Sequence, residues 1–426
     1  MPDNSNGETL HISGKCCLEG EIDISGAKNA ALPIMAASLL CADTLTVSNL
    51  PNLGDVALMN QVLASLGVER TMTAADTFEL DARQIISHAV PEKQAQQMRA
   101  SILVLGPLLA RHGKAQVPYP GGCSIGSRPV DQHLEGLRAL GAEFEEKEDI
   151  IEARAPKGLQ GASIKFRQPT VCGTENIMMA ATLAKGATIV QNAAREPEVA
   201  DLAHCLNTLG AKIEGIGTDT LCIQGSAELR GGKYRIMPDR IEASTYLAAV
   251  AVTRGSVLLR KACPENMGSV LDKLQAVGAR IKIEKENIEM DMRGNRPQAV
   301  DVRTAPYPGF PTDMQAQFTA INALADGKAS IIETIFNDRM AHVKDMQRMG
   351  AQLKQENCTV HVTGVEHLHG NTVRANDLRA SASLVIAGLM AEGETIVQDI
   401  EHIDRGYQWI EEKLNNLGAK IKRQPG

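Results

Sequence analysis

At 426 residues the chain is long enough for two domains, each with its own core. Hydrophobic residues make up 43% and charged residues 22%, a globular balance, while aromatics at 3% leave the cores to Ala, Leu, Ile, Val and Met. A net charge of −7 argues against nucleic acid as a partner and requires any anionic ligand to meet a local basic cluster.

Taken in chain order, the first residues are polar, from Pro2 to Glu8, and have no apolar core of a signal peptide. No apolar run approaches the ~20 residues of a membrane span. The nine cysteines include no CxxC and no paired metal-ligand spacing, so a cytoplasmic protein with reduced thiols is expected. Cys16 and Cys17 are adjacent on a strand-like run and therefore face opposite ways, which disfavours a vicinal redox pair.

Residues 10–24 contain two strand-like runs, and a first helix is predicted over 30–41. Similar helices, most of them apolar on nearly every face, are predicted over 100–110, 176–184, 243–253, 315–325 and 380–391. Such helices belong inside a core. Short strands follow them, as in Thr44-Leu45-Thr46-Val47, Thr188-Ile189-Val190 and Ser256-Val257-Leu258-Leu259. Amphipathic helices come next, for example over 130–140 and 198–209.

Each amphipathic helix ends on one recurring motif: Leu66-Gly67-Val68, Leu140-Gly141-Ala142, Leu209-Gly210-Ala211, Val277-Gly278-Ala279, Met349-Gly350-Ala351 and Leu417-Gly418-Ala419. The glycine suits a helix C-terminal cap. Two alternating segments then read as a hairpin, as in Lys212-Ile213-Glu214 and Thr220-Leu221-Cys222-Ile223. The motif recurs six times at about 70-residue spacing, which marks a repeated unit.

The predicted fold is therefore α/β: two inside-out, barrel-like domains, each of three βαβαββ-type units with buried helices and outward-facing sheets. The sixth unit stops one strand short at the C-terminus, so the chain's start should complete it. One domain is then 26–234 and the other 1–25 plus 235–426. The crossings are predicted near Ser25-Gly26 and within Gly231-Gly232-Lys233-Tyr234. Two covalent connections suit a cleft that closes on ligand.

One stretch departs from this regularity. Tyr119-Pro120-Gly121-Gly122-Cys123-Ser124-Ile125-Gly126-Ser127-Arg128-Pro129-Val130-Asp131-Gln132-His133 holds three glycines and two prolines in fifteen residues, so it reads as a loop. A cysteine in an arbitrary loop is more often a small buried hydrophobe than a reactive thiol. The flanking glycines, Arg128 and the helix start at Pro129-Val130-Asp131 favour an anion-binding, reactive site here.

Equivalent points of the other units carry Lys28-Asn29, Arg99, Thr174-Glu175-Asn176, Asp239-Arg240, Thr312-Asp313 and Asp377-Leu378-Arg379 at the starts of the buried helices. A base at a helix N-terminus opposes the helix dipole unless an anion binds there, and Lys28, Arg99 and Arg379 share that position. Arg128, Arg339 and Arg405 lie in loops before the second helices. Asp313 and Asp377 also fit plain N-caps.

The loop Gly121–Asp131 resembles the catalytic loop of the UDP-N-acetylglucosamine 1-carboxyvinyltransferases, a family of enolpyruvyl transferases. So do Gly26-Ala27-Lys28-Asn29-Ala30, Asn192-Ala193-Ala194-Arg195-Glu196-Pro197-Glu198, Pro308-Gly309-Phe310-Pro311-Thr312-Asp313-Met314-Gln315, Asp377-Leu378-Arg379-Ala380 and Ile403-Asp404-Arg405-Gly406-Tyr407. The resemblance spans essentially the whole chain, and the family's fold matches the repeat reading.

The resemblance implies transfer of enolpyruvyl from phosphoenolpyruvate to the 3′-hydroxyl of UDP-N-acetylglucosamine, with release of phosphate, in peptidoglycan precursor synthesis. The implied course is addition then elimination through a tetrahedral intermediate. By the same carry-over Cys123 is the general acid at C3 of phosphoenolpyruvate, or forms an adduct with it, and Asp313 accepts the hydroxyl proton. Lys28, Arg128 and Arg405 bind the phosphoenolpyruvate anion, with Arg99 and Arg379 nearby. Arg128, Pro129, Val130, Asp131 and His133 fall to the nucleotide and Asn29 to the sugar. Ile335, Arg339 and Asp377 complete the implied substrate contacts. No metal or cofactor is implied, because arginines supply the charge.

Two departures stand out. Ser124 and Ser127 replace alanines of the family loop, and Val171-Cys172-Gly173-Thr174 stands where valine-glycine-alanine-threonine is commoner. The second leaves the acceptor's identity more open than the chemistry. Other readings are a paralogue with a different nucleotide acceptor, a non-catalytic binding member, and a shikimate 3-phosphate enzyme, which lacks this cysteine loop.

Overall fold

The computed structural model describes residues 7–121, 130–147, 149–374 and 377–425. Cys123, Arg128 and Pro129 lie outside the described residues. The described residues form two compact units, one within 7–25 and 238–425, the other within 26–121 and 130–237.

Each unit has its own apolar core, built around three helices. In the 26–237 unit these are α1 (Lys28–Ala37), α2 (Leu105–His112) and α3 (Val171–Ala181). In the other they are α4 (Arg240–Thr253), α5 (Gln315–Leu324) and α6 (Leu378–Gly388). All residues of α4 and α5 are buried, as helices apolar on every face require. Each fully buried leucine or isoleucine there contributes roughly 1.5–3 kcal/mol. The hydroxyls of Ser244, Thr245 and Thr253 are accommodated by bonding back to the carbonyls of Arg240, Ile241 and Ala249.

Three sheets flank the helices of each unit, with alternating burial that sends one face inward, as in Thr44–Ser48, where Leu45 and Val47 are buried. The repeat glycines Gly67, Gly141, Gly210, Gly278, Gly350 and Gly418 all have φ between 93° and 112°, the left-handed conformation a helix stop needs. Strand Thr9–Ser13 pairs antiparallel with both Glu394–Gln398 and Lys420–Gln424, so the chain's start does complete the sixth repeat.

The crossings exchange strands. Glu19–Asp23 leads into α1 but pairs in parallel with Ser256–Arg260, which follows α4. Gly232–Arg235 leads into α4 but pairs in parallel with Thr44–Ser48, which follows α1. The stretch 231–234, expected as a crossing, is thus largely a strand of the unit being left, and the chain changes unit after Met237.

Two helix starts also differ from expectation. The segment predicted as one helix over 100–110 is a 3₁₀ stretch, Arg99–Val104, followed by α2. Pro107 lacks an N–H and fits the first turn of α2, so the preceding turn takes the tighter form. The helix predicted over 176–184 begins at Val171, capped by Thr170 accepting from Gly173 N. Thr174, Glu175 and Asn176 therefore lie inside α3 and not at its start. Asn176 bonds Gly106 N at 2.7 Å and Ile102 O at 2.9 Å. A Cβ on Gly106 would sit 2.4 Å from Asn176, so the α2–α3 approach needs glycine there.

Candidate functional site

Among the predicted site residues, the structure brings Asp313, Arg339 and Arg379 into direct contact. In the 238–426 unit, Asp313 lies on a 3₁₀ turn, Thr312–Met314, just before α5. It is not an N-cap: Pro311 and Met314 hold those positions, without side-chain capping bonds. Its carboxylate instead meets two guanidiniums, Arg339 Nη1 at 2.7 Å and Arg379 Nη2 at 2.8 Å. Asp377, by contrast, is the N-cap of α6, its carboxylate accepting from Arg379 N and Ala380 N. That cap fixes the first turn of the helix that carries Arg379.

Arg379 is 3% exposed and leans on a polar network inside the core. Its Nη1 donates to Tyr407 Oη at 2.9 Å, and that hydroxyl lies 3.0 Å from Thr245 Oγ1, which accepts from Gln317 Nε2 at 3.1 Å. Burial opposes the guanidinium's charge, but Asp313 foremost outweighs it and the pKa lies above its ordinary value. Burial raises the Tyr407 phenol despite the same arginine. Tyr407 follows Arg405, the half-buried residue ending the short helix Glu401–Asp404. Gly406 between them has Leu378 Cδ2 2.6 Å from where a Cβ would lie, so a larger residue here would press on Leu378.

Arg339 is 7% exposed, donates to Thr312 Oγ1 at 3.0 Å and lies just before helix His342–Arg348. Ile335 donates its N–H to Glu333 Oε1 at 2.7 Å. His342, 1% exposed, has its Nε2 without a hydrogen-bond partner, and burial foremost brings its pKa down to about 4.

In the 26–237 unit, Lys28 opens α1 and bonds Asp55 Oδ2 at 3.1 Å. Asn29 follows it, half-buried. Arg99 opens the 3₁₀ stretch and not an α-helix, so its place differs from the one it shares with Lys28 and Arg379 in sequence. Val130 is the N-cap residue of helix Asp131–Ala139, Asp131 pairs with Arg167, and buried His133 places Nδ1 3.2 Å from Asn176 Nδ2. The carboxyl of Glu175 is fully buried in α3, Oε1 has no partner, and burial foremost raises its pKa to about 8.

The chain matches the family model described as EPSP synthase (3-phosphoshikimate 1-carboxyvinyltransferase) over residues 12–414. It belongs to that family, the enolpyruvyl transferases. The fold is also similar to that of the enolpyruvyl transferase NikO from Streptomyces tendae, with 23% identity and a TM-score of 0.88 over 99% of this chain and 100% of that one. An EPSP synthase from Acinetobacter baumannii shares 17% identity with a TM-score of 0.75, covering 98% and 100% of the two chains. At these identities the likeness to solved structures concerns the fold. No helix among the described residues of this transferase is long and apolar enough to cross a membrane.

Several members of the polar network were not anticipated: Thr245, Gln317, Glu333, and Tyr407 as the partner of Arg379. For Thr245 and Gln317 the available signal was a polar residue set in an otherwise apolar buried helix, which must be hydrogen-bonded to be tolerated.

Proposed function

We propose that this enolpyruvyl transferase moves the enolpyruvyl group of phosphoenolpyruvate to the 3′-hydroxyl of UDP-N-acetylglucosamine, releasing phosphate, as a step toward peptidoglycan. The observation that carries the reading is the 121–131 loop together with an Asp313 carboxylate set between Arg339 and Arg379. A carboxylate held by two guanidiniums has a fixed direction, which a base for a single hydroxyl proton requires.

Asp313 takes the 3′-hydroxyl proton as that oxygen attacks C2 of phosphoenolpyruvate, and Cys123 delivers a proton to C3. Elimination then removes a proton from C3 and expels phosphate. Lys28, Arg128 and Arg405 bind the phosphoenolpyruvate anion, with Arg99 and Arg379 contributing to the field. Val130, Asp131 and His133 fall to the nucleotide with Arg128 and Pro129, Asn29 to the sugar, and Ile335, Arg339 and Asp377 to the acceptor side. Lys28 and Arg379 each have a carboxylate neighbour, Asp55 and Asp313, so substrate anions join existing ion pairs.

A second reading, a different nucleotide acceptor, rests on Cys172 at the start of α3, whose thiol bonds the buried Glu175 carboxyl. Phosphate release from phosphoenolpyruvate tests both. Release that depends on UDP-N-acetylglucosamine supports the first; release with another nucleotide sugar and none with this one supports the second. Absence of release with any nucleotide acceptor overturns both.

A further inference from the structure

Glu333 follows strand Lys328–Ile332 and is 2% exposed. Its Oε1 accepts from Thr304 Oγ1 at 2.8 Å, Ile335 N at 2.7 Å and Phe336 N at 3.2 Å. Its Oε2 accepts from Thr312 Oγ1 at 2.7 Å. One buried carboxylate therefore ties together the strand end at Thr304, the turn that carries Ile335, and the 3₁₀ turn that carries Asp313.

The Thr312 hydroxyl has one proton, and it is committed to Glu333. Its lone pairs are left for a donor, and Arg339 Nη1 uses one at 3.0 Å. Arg339 in turn meets Asp313 at 2.7 Å. The order is thus Glu333, Thr312, Arg339, Asp313, each fixing the next. A carboxylate that served the fold alone would need no hydroxyl in contact with a site arginine.

We propose that Glu333 is a positioning residue of the transfer reaction. Through Thr312 and Arg339 it sets the direction of the Asp313 carboxylate, and through Ile335 N it sets the turn beside the acceptor. The inference rests on the reading of Asp313 as the base and Ile335 as an acceptor contact. Glu333 touches no reacting atom; it fixes the group that does. Misplacement of a reacting group by a fraction of an ångström costs turnover more than binding.

The test measures steady-state phosphate release by the full chain, varying phosphoenolpyruvate and UDP-N-acetylglucosamine in turn. Glu333→Gln and Thr312→Val should each lower kcat on the order of 10- to 100-fold while KM for phosphoenolpyruvate holds. Glu333→Gln should also raise KM for the acceptor, because the Ile335 turn loosens; Thr312→Val should not. Thr312→Ser keeps the hydroxyl and should restore most of kcat. The double variant should be no worse than Glu333→Gln, since both act along one chain of contacts.

Unchanged kcat in Glu333→Gln, equal losses in Thr312→Val and Thr312→Ser, or additive losses in the double variant would each overturn the role. If Glu333→Gln does not fold, the two Thr312 variants decide alone. Wild-type turnover is measured first. Its absence with UDP-N-acetylglucosamine defeats the acceptor assignment, and the variants are then compared with whichever acceptor is used. Its presence with indifferent variants defeats the role of Glu333 alone.

Discussion

Asp313 and Arg379 form an ion pair at 2.8 Å in which the arginine side chain is 4% exposed and the aspartate side chain 22%. Asp313 comes from the turn preceding α5 and Arg379 from the first turn of α6, so the pair joins repeats as well as charges. Arg339 holds the other oxygen of the same carboxylate.

If Asp313 is the base, Asp313→Asn should bind both substrates and lose turnover by a factor on the order of 10² to 10⁴. That corresponds to about 3–5 kcal/mol of barrier. Because Asp313 is not at an N-cap position, preserved helix capping by Asn no longer offers a route to preserved activity. Single-turnover phosphate release alongside acceptor titration separates the two effects. Full turnover in the variant would remove Asp313 from the chemistry.

What was legible in advance followed from local rules. Each repeat glycine needed a left-handed φ, and most central helices lacked a polar face, so six units and buried helices could be read directly. The strand missing from the sixth unit pointed to the chain's start, where Thr9–Ser13 supplies it. What was not legible depended on partners distant in sequence. Arg379 looked like a bare anion-binding base, yet Asp313, 66 residues away, is its partner. Nothing near Glu333 announces that it serves Thr312, and the strand exchange that puts Gly232–Arg235 beside Thr44–Ser48 has no local signature. The 3₁₀ stretch at Arg99 follows from Pro107, a signal present but not used.

Glu242 and Lys413 pin one crossing of the chain. The Glu242 carboxylate accepts from Ser25 N and from Lys413 Nζ, both at 2.7 Å, and Lys413 also reaches Ser25 Oγ at 2.7 Å. Burial foremost raises the Glu242 pKa, and Lys413 pulls against that rise. Lys413→Met leaves a buried carboxylate without its counterion and should cost about 3–5 kcal/mol in urea unfolding at neutral pH. Protonation removes the need for a counterion, so the loss should shrink as pH falls. A loss independent of pH would assign it to packing instead.

Glu175 should make stability fall with rising pH. Its folded pKa, about 8, lies above the ordinary 4.5, so between these values the folded chain holds a proton that the unfolded chain releases. His342 acts in the opposite sense: with a folded pKa of about 4 against 6.5, stability rises with pH across that lower window. Comparing wild type with Glu175→Gln isolates the glutamate. The variant's advantage should grow from pH 5 to pH 8 and level off above. A constant difference across that range would mean Glu175 is ionised in the folded protein.

Cys123 carries the most exposed part of the proposed mechanism, and its reactivity separates it from the other thiols. Burial foremost raises Cys16 to about 11 and Cys41 to about 12, and raises Cys205 further, so these are poor nucleophiles at neutral pH. Cys17 and Cys222 are exposed, which makes them the internal controls for simple accessibility. Burial and Glu19 both raise Cys17 as well. An anionic epoxide such as fosfomycin, drawn by bound-phosphate charge recognition, should alkylate Cys123 ahead of both. UDP-N-acetylglucosamine should speed the reaction. Cys123→Ser should lose most turnover, because a hydroxyl is a far weaker proton donor. Cys123→Asp should keep some, since a carboxylic acid donates a proton, yet resist the epoxide because it is a weaker nucleophile. Mass spectrometry of the labelled protein locates the adduct. An adduct on Cys17 or Cys222 with Cys123 unmodified, or full activity in Cys123→Ser, would make Cys123 structural and leave the proton at C3 to another group.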